Sequence, residues 1–95
     1  MSRGISKVQR AIVGLLDGTQ RRQVYAGAGP LQTSELLEEL LACEAIADGK
    51  PWKQAMFTVR RACVSLVRRA MIEGEYIPDA DNPGRETIQW AAIED

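Results

Sequence analysis

The chain has no histidine, and its two cysteines, Cys43 and Cys63, sit in separate stretches without metal-ligand spacing. Without imidazole or a close thiol pair, the usual zinc and histidine-based acid–base chemistries have no donor set. No serine or cysteine has an evident base beside it. We therefore expect no catalytic residues, no metal and no cofactor, and two free, buried thiols of a reducing compartment. Nothing approaches the roughly 18 consecutive apolar residues of a membrane span. The basic start, MSRGISKVQR, is followed by no uninterrupted apolar core. The expectation is a cytoplasmic protein without a signal peptide.

What is present fits one globular domain. The 95 residues are 45% hydrophobic and 26% charged, enough for one modest core without disulfide staples. The net charge of −1 hides an alternation of sign. Residues 1–30 carry five basic and one acidic side chain, and residues 31–50 carry one and five. Residues 51–74 return to five against one, and 75–95 carry one against six. A surface wholly devoted to nucleic acid would be net basic, so any such binding belongs to one face.

Helical periodicity organises the first three quarters. Ser6 is a good N-cap, and Ile5, Val8, Ile12, Leu15 and Leu16 follow at helical spacing until Asp17-Gly18, predicting a first helix over about 6–16. Residues 17–32 read as a loop, with a short extended piece around Gln23–Tyr25 or at Leu31-Gln32. Its AGAGP lacks the Lys-Ser/Thr ending of a phosphate loop and is expected to be a flexible connection. Thr33 is read as the cap of a second helix over about 34–47, with Leu36, Leu37, Leu40 and Leu41 buried. Glu35, Glu38, Glu39 and Glu44 are expected on its solvated face.

Pro51 opens and Gly74 closes the expected third helix, over about 52–73. Met56, Val59, Cys63, Leu66, Val67 and Ala70 form its apolar stripe, opposite Gln54, Thr58, Arg61, Ser65, Arg68 and Arg69. The pattern then changes to period two. Glu75–Pro78 and Thr87–Ala91, separated by DADNPGR, predict a hairpin over about 75–92 that must rest on the helices. Trp90, alternating with Ile88, is expected to plug the space between hairpin and third helix. Trp52 either stacks on a base or packs under the preceding turn.

The order helix, loop, helix, turn, helix, hairpin resembles the winged helix-turn-helix superfamily. LQTSELLEEL looks like that superfamily's capped second helix, and SLVRRAMIEGEYIPD like the end of its third helix entering the wing. The resemblance spans roughly Ser6 to Ile93. It implies an α+β, mainly α domain of three helices with a C-terminal two-stranded β-hairpin as the wing. The link ACEAIADGKP and the long third helix depart from the simpler members.

The resemblance further implies a small DNA-binding protein, a transcriptional regulator, with the third helix in the major groove of double-stranded DNA. Gln54, Thr58 and Arg61 are then the base-reading candidates, since these side chains match base-edge donors and acceptors. Lys53, Arg68 and Arg69 are placed to hold phosphates, with Ser65 on the same face and Arg85 in the wing. Arg60, near the stripe, packs its stem or pairs with a glutamate of the second helix. Asp79 and Asp81 flank the wing tip, so the wing is expected to stand off DNA or meet protein. A homodimer reading paired half-sites, through the first helix and QRRQVYAGAG, completes this reading. The alternative is a winged-helix module that docks a protein and reads no DNA.

Overall fold

The structure, a computed structural model, describes residues 4–25, 27 and 29–93. Six elements follow one another: α1 (Lys7–Asp17), β1 (Leu31–Gln32), α2 (Thr33–Ala42), α3 (Trp52–Arg68), β2 (Ile72–Pro78) and β3 (Glu86–Ala92). The result is a small α+β fold in which three helices pack on a three-stranded antiparallel sheet of order β1-β3-β2. The expected two-stranded hairpin is thus extended by Leu31 and Gln32, which pair with Trp90 and Gln89. Of the two extended pieces foreseen in the loop, the one at Leu31-Gln32 forms. Gln23–Tyr25 is a bend.

The first helix starts as its sequence dictates. Ser6 Oγ accepts the Gln9 amide at 3.2 Å, and Gln9 Oε1 accepts the Ser6 amide at 3.0 Å, a reciprocal cap that satisfies two otherwise orphaned donors. Gly18, at φ 88°, closes it.

The other two helices end earlier than expected. The second stops at Ala42 instead of 47, and the third at Arg68 instead of 73. Both ends carry the same hydrogen-bond pattern around a residue in the left-handed region. Glu44 has φ 62° and Ala70 φ 58°. The Ala45 amide reaches Leu40 O at 2.9 Å and the Met71 amide reaches Leu66 O at 3.0 Å. This closure usually takes glycine, so the two residues carry a conformational cost of about 1–2 kcal/mol each. Gly74 does not end α3. It lies within β2, opposite Trp90.

The core joins Ile12 and Leu15 of α1, Leu36, Leu37 and Leu40 of α2, and Val59, Cys63 and Leu66 of α3 to Ile72 and Trp90. The apolar stripe of α3 is therefore rotated from its expected position. Ala55 is buried, whereas Met56 is half-buried and Val67 and Ala70 are exposed. Trp90 is buried in the core as expected, but the partners that fix it lie on β2 and at the start of α2, not on the third helix. Its ring lies over Gly74, where a Cβ would meet ring carbons at 2.7 Å. Its indole N–H donates to Thr33 Oγ1 at 2.9 Å. Thr33 is accordingly the first helical residue rather than the cap, and Gln32 holds the N-cap position.

The acids of α2 do not form a solvated face. Glu39 is buried, and its carboxylate accepts the amides of Gln23, Val24 and Tyr25 at 2.8, 3.1 and 2.8 Å. Glu38 accepts the Tyr25 hydroxyl at 2.6 Å. That hydrogen bond, with burial and the surrounding carboxylates, pushes the Tyr25 phenol up to about 12. Glu35 accepts the Gln32 amide at 2.7 Å. From the other side, Arg22 donates to the carbonyls of Leu15 and Gly29. Residues 22–25 of the loop are thus tied to α1 and α2, and within the AGAGP expected to be a flexible connection the Gly29 carbonyl accepts from Arg22. Ala26 and Ala28 of AGAGP lie outside the described residues.

Glu39→Gln replaces one acceptor oxygen by a donor facing backbone amides. It should cost about 2–3 kcal/mol in urea unfolding, with amide exchange rising first at Gln23–Tyr25. Gly74→Ala drives a methyl into the Trp90 ring and should cost about 1–3 kcal/mol. A midpoint unchanged from the parent would show that the sheet yields freely there.

Candidate nucleic-acid interface

The third helix has no aspartate or glutamate, and neither do the residues flanking it from 51 to 72. With its apolar stripe spent on the core, everything it offers outward is basic, amide, hydroxyl or apolar. Lys53, Gln54, Thr58, Arg61 and Arg68 are exposed, and Ser65 is half-buried. The structure thus brings these six sequence-predicted residues onto one helix. The Thr58 hydroxyl donates to Gln54 O at 3.1 Å, one turn back, so its lone pairs remain for a ligand's donors. Arg69 is the C-cap of α3, with its backbone amide directed at Ser65, Leu66 and Val67 carbonyls. Arg85 stands apart in the β2–β3 turn, its amide donating to Asn82 O.

Two residues join this face that the sequence reading did not place on it. Phe57 is 62% exposed, and the Arg61 guanidinium carbon sits 5.8 Å from its ring centroid. This is within cation–π distance. The signal was available, since two positions from Val59 is about 200° around a helix, on the far side. Arg60 is also exposed. Its side chain lines a groove between α3 and the sheet together with Lys53, Met56, Phe57, Tyr76 and Glu86. It does not take up a glutamate of α2, because Glu38 and Glu39 are engaged by Tyr25 and the loop amides. Trp52 is 53% exposed and does not pack beneath the preceding turn.

The hairpin contributes the opposite charge. At its tip the Asp79 carboxylate accepts the Asn82 side-chain amide at 3.1 Å and the Asp81 backbone amide at 3.0 Å. These bonds, in that order, hold the Asp79 carboxyl below its ordinary value. Asp79 N–H also donates to Arg85 O at 3.0 Å, so Asp79 organises the turn. Glu73 and Glu75 alternate with Gly74 along β2 and line a shallow hollow with Gln89 and Ala91. The face of α3 is therefore cationic while the hairpin is acidic, and the alternation seen along the sequence survives in space.

Among the described residues, no group of three or more His, Cys, Asp or Glu side chains could hold a metal ion, and no helix is long and apolar enough to cross a membrane. Both thiols are free; Cys63 is buried as expected, whereas Cys43 is half-buried. Burial pushes the Cys63 thiol up to about 12, far from a nucleophile's range. No protein-family model matches the chain, and no curated protein or solved structure matches it either.

The two cysteines should differ in reactivity. At pH 8 in native buffer an aromatic disulfide reagent should label Cys43 readily. Cys63 should react only at the rate of unfolding. Equal rates for both thiols would contradict the packing around Cys63.

Proposed function

We propose that the chain is a small winged-helix DNA-binding protein, a transcriptional regulator that places the outward face of α3 in the major groove of duplex DNA. The observation that carries this reading is the exposed arc of Lys53, Arg60, Arg61 and Arg68 on a helix without a single carboxylate. A polyanion gains from such a surface wherever it touches it, and counterion release makes the gain entropic. The order of helices and the closing hairpin support the winged-helix assignment, and the third strand is compatible with it.

Within this reading Arg61, Gln54 and Thr58 face base edges, while Lys53 and Arg68 hold phosphates and fix the register. Arg69 and Arg85 extend the cationic rim at the two ends of β2. The acidic hairpin tip stays clear of the backbone or meets a protein, since carboxylates beside phosphates are repelled. One helix buries limited surface, so a homodimer on paired half-sites is part of the proposal. A second reading, a module that docks protein, draws on the exposed Phe57, Tyr76 and Trp52 beside arginines, a composition also common at protein interfaces.

Fluorescence anisotropy with random-sequence duplex DNA across a salt series separates the two. The parent should lose affinity steeply as salt rises. Arg61→Ala/Arg68→Ala should bind more weakly, with a log–log slope shallower by about one for the lost Arg68 phosphate contact. Absence of binding even at low salt would favour the protein-docking module.

A further inference from the structure

Among the exposed apolar residues of α3, Phe57 is the one under an arginine, and neither the core nor phosphate binding explains it. Phe57 lies near the middle of the cationic face, between Lys53 and Arg61 in sequence, with most of its ring in water. A ring this exposed leaves apolar area uncovered that a lysine or glutamine at the same place would not. Its neighbour one turn on, Arg61, lies over the ring. That contact narrows the directions in which the guanidinium can point, so less freedom is lost when it engages a planar acceptor.

We propose that Phe57 is a specificity-determining residue that covers the C5-methyl group of a thymine, with Arg61 aimed at a guanine beside it. The inference rests on the DNA-binding reading above and adds which bases the helix recognises. Thymine's methyl is the apolar feature that the major groove displays, and phenylalanine is among the side chains that contact it. Guanine offers O6 and N7 to a two-pronged arginine. Four residues of helix rise about 6 Å, which is less than two base-pair steps of about 3.4 Å each. One helix therefore brings the ring and the guanidinium to adjacent pairs or to pairs one step apart. Charge complementarity selects DNA over an apolar protein surface as the occupant. Lys53 and Arg60 line the groove on one side of the ring, with Glu86 of β3 the single acid there, and Arg60, Arg61 and Arg68 line the hollow on the other, where no carboxylate offsets them.

The test begins with duplexes enriched by the parent protein from a randomised pool, whose thymines are then replaced one at a time by deoxyuridine. At one thymine per bound helix, next to or one step from a guanine, loss of the methyl should weaken the parent about fourfold, the value of one buried methyl group. Phe57→Ala should bind the thymine and uracil duplexes equally. Phe57→Leu, which restores an apolar surface, should recover part of the discrimination. Arg61→Ala should relax the guanine preference by roughly fivefold to a hundredfold. Because Phe57 is outside the core, its variants should melt as the parent does.

Two results would overturn the inference alone: enriched duplexes indifferent to uracil at every position, or a Phe57→Ala variant that still distinguishes thymine from uracil. Failure of the parent to bind any duplex would overturn the DNA-binding reading and this inference together, leaving the aromatic–arginine face to a protein.

Discussion

The indole of Trp90 is the contact through which sheet and helices become one body. It sits in the central strand, paired across β1 to Leu31 and across β2 to Gly74. A buried indole needs an acceptor for its N–H, and Thr33 at the start of α2 supplies it. The ring also needs space on the β2 side, which only a residue without a side chain provides. These two requirements fix the sheet against α2. Cys63 and Leu66 of α3 and Ile72 of β2 share the same core, and that packing sets where the hairpin stands beside the basic helix.

A second constraint holds the opposite side of the domain. The stretch between α1 and β1 makes little regular structure, yet its amides cannot be left dry and unpaired. The Glu39 carboxylate gathers three consecutive ones, and Arg22 reaches back to the end of α1. One buried acid thereby replaces the ladder that a strand would have provided. The arrangement leaves α3 out of the loop's support. Among the described residues, Lys53, Arg60, Arg61 and Arg68 of α3 are exposed, and Glu38 and Glu39 of α2 are engaged by Tyr25 and the loop amides.

Charge separation follows from this division of labour. In sequence the acidic and basic segments alternate, and neutralising contacts between them would be the simplest outcome. In the fold the acids of α2 are occupied by backbone amides and a tyrosine; of the hairpin's acids, Asp79 serves its own turn, Glu73 and Glu75 line a hollow away from α3, and Glu86 alone borders the groove beside Lys53 and Arg60. The nearly neutral chain thus presents a cationic surface along α3. The proposed DNA contact draws on that surface, and the aromatic ring at its centre gives the contact a means of distinguishing bases.

Local sequence determined much of this. The existence of three helices, the cap at Ser6, the stop at Gly18, the closing hairpin and the carboxylate-free third helix are short-range features. Periodicity and turn chemistry record them directly. The six predicted residues from Lys53 to Arg68 were legible for the same reason, since a helix wheel sorts outward from inward. Tertiary structure decided the rest. Glu44 and Ala70 end their helices in a conformation that their side chains disfavour, held there by hydrogen bonds to the preceding turn and by packing of the chain that follows. Gly74 reads locally as a helix stop and serves instead as the space under Trp90. Glu39 reads as a surface acid because its partners lie 14–16 residues earlier. Thr33 reads as a cap because its partner lies 57 residues later. Where a side chain's partner is a turn away, the sequence states the outcome; where it is a domain's width away, only the fold brings donor and acceptor together.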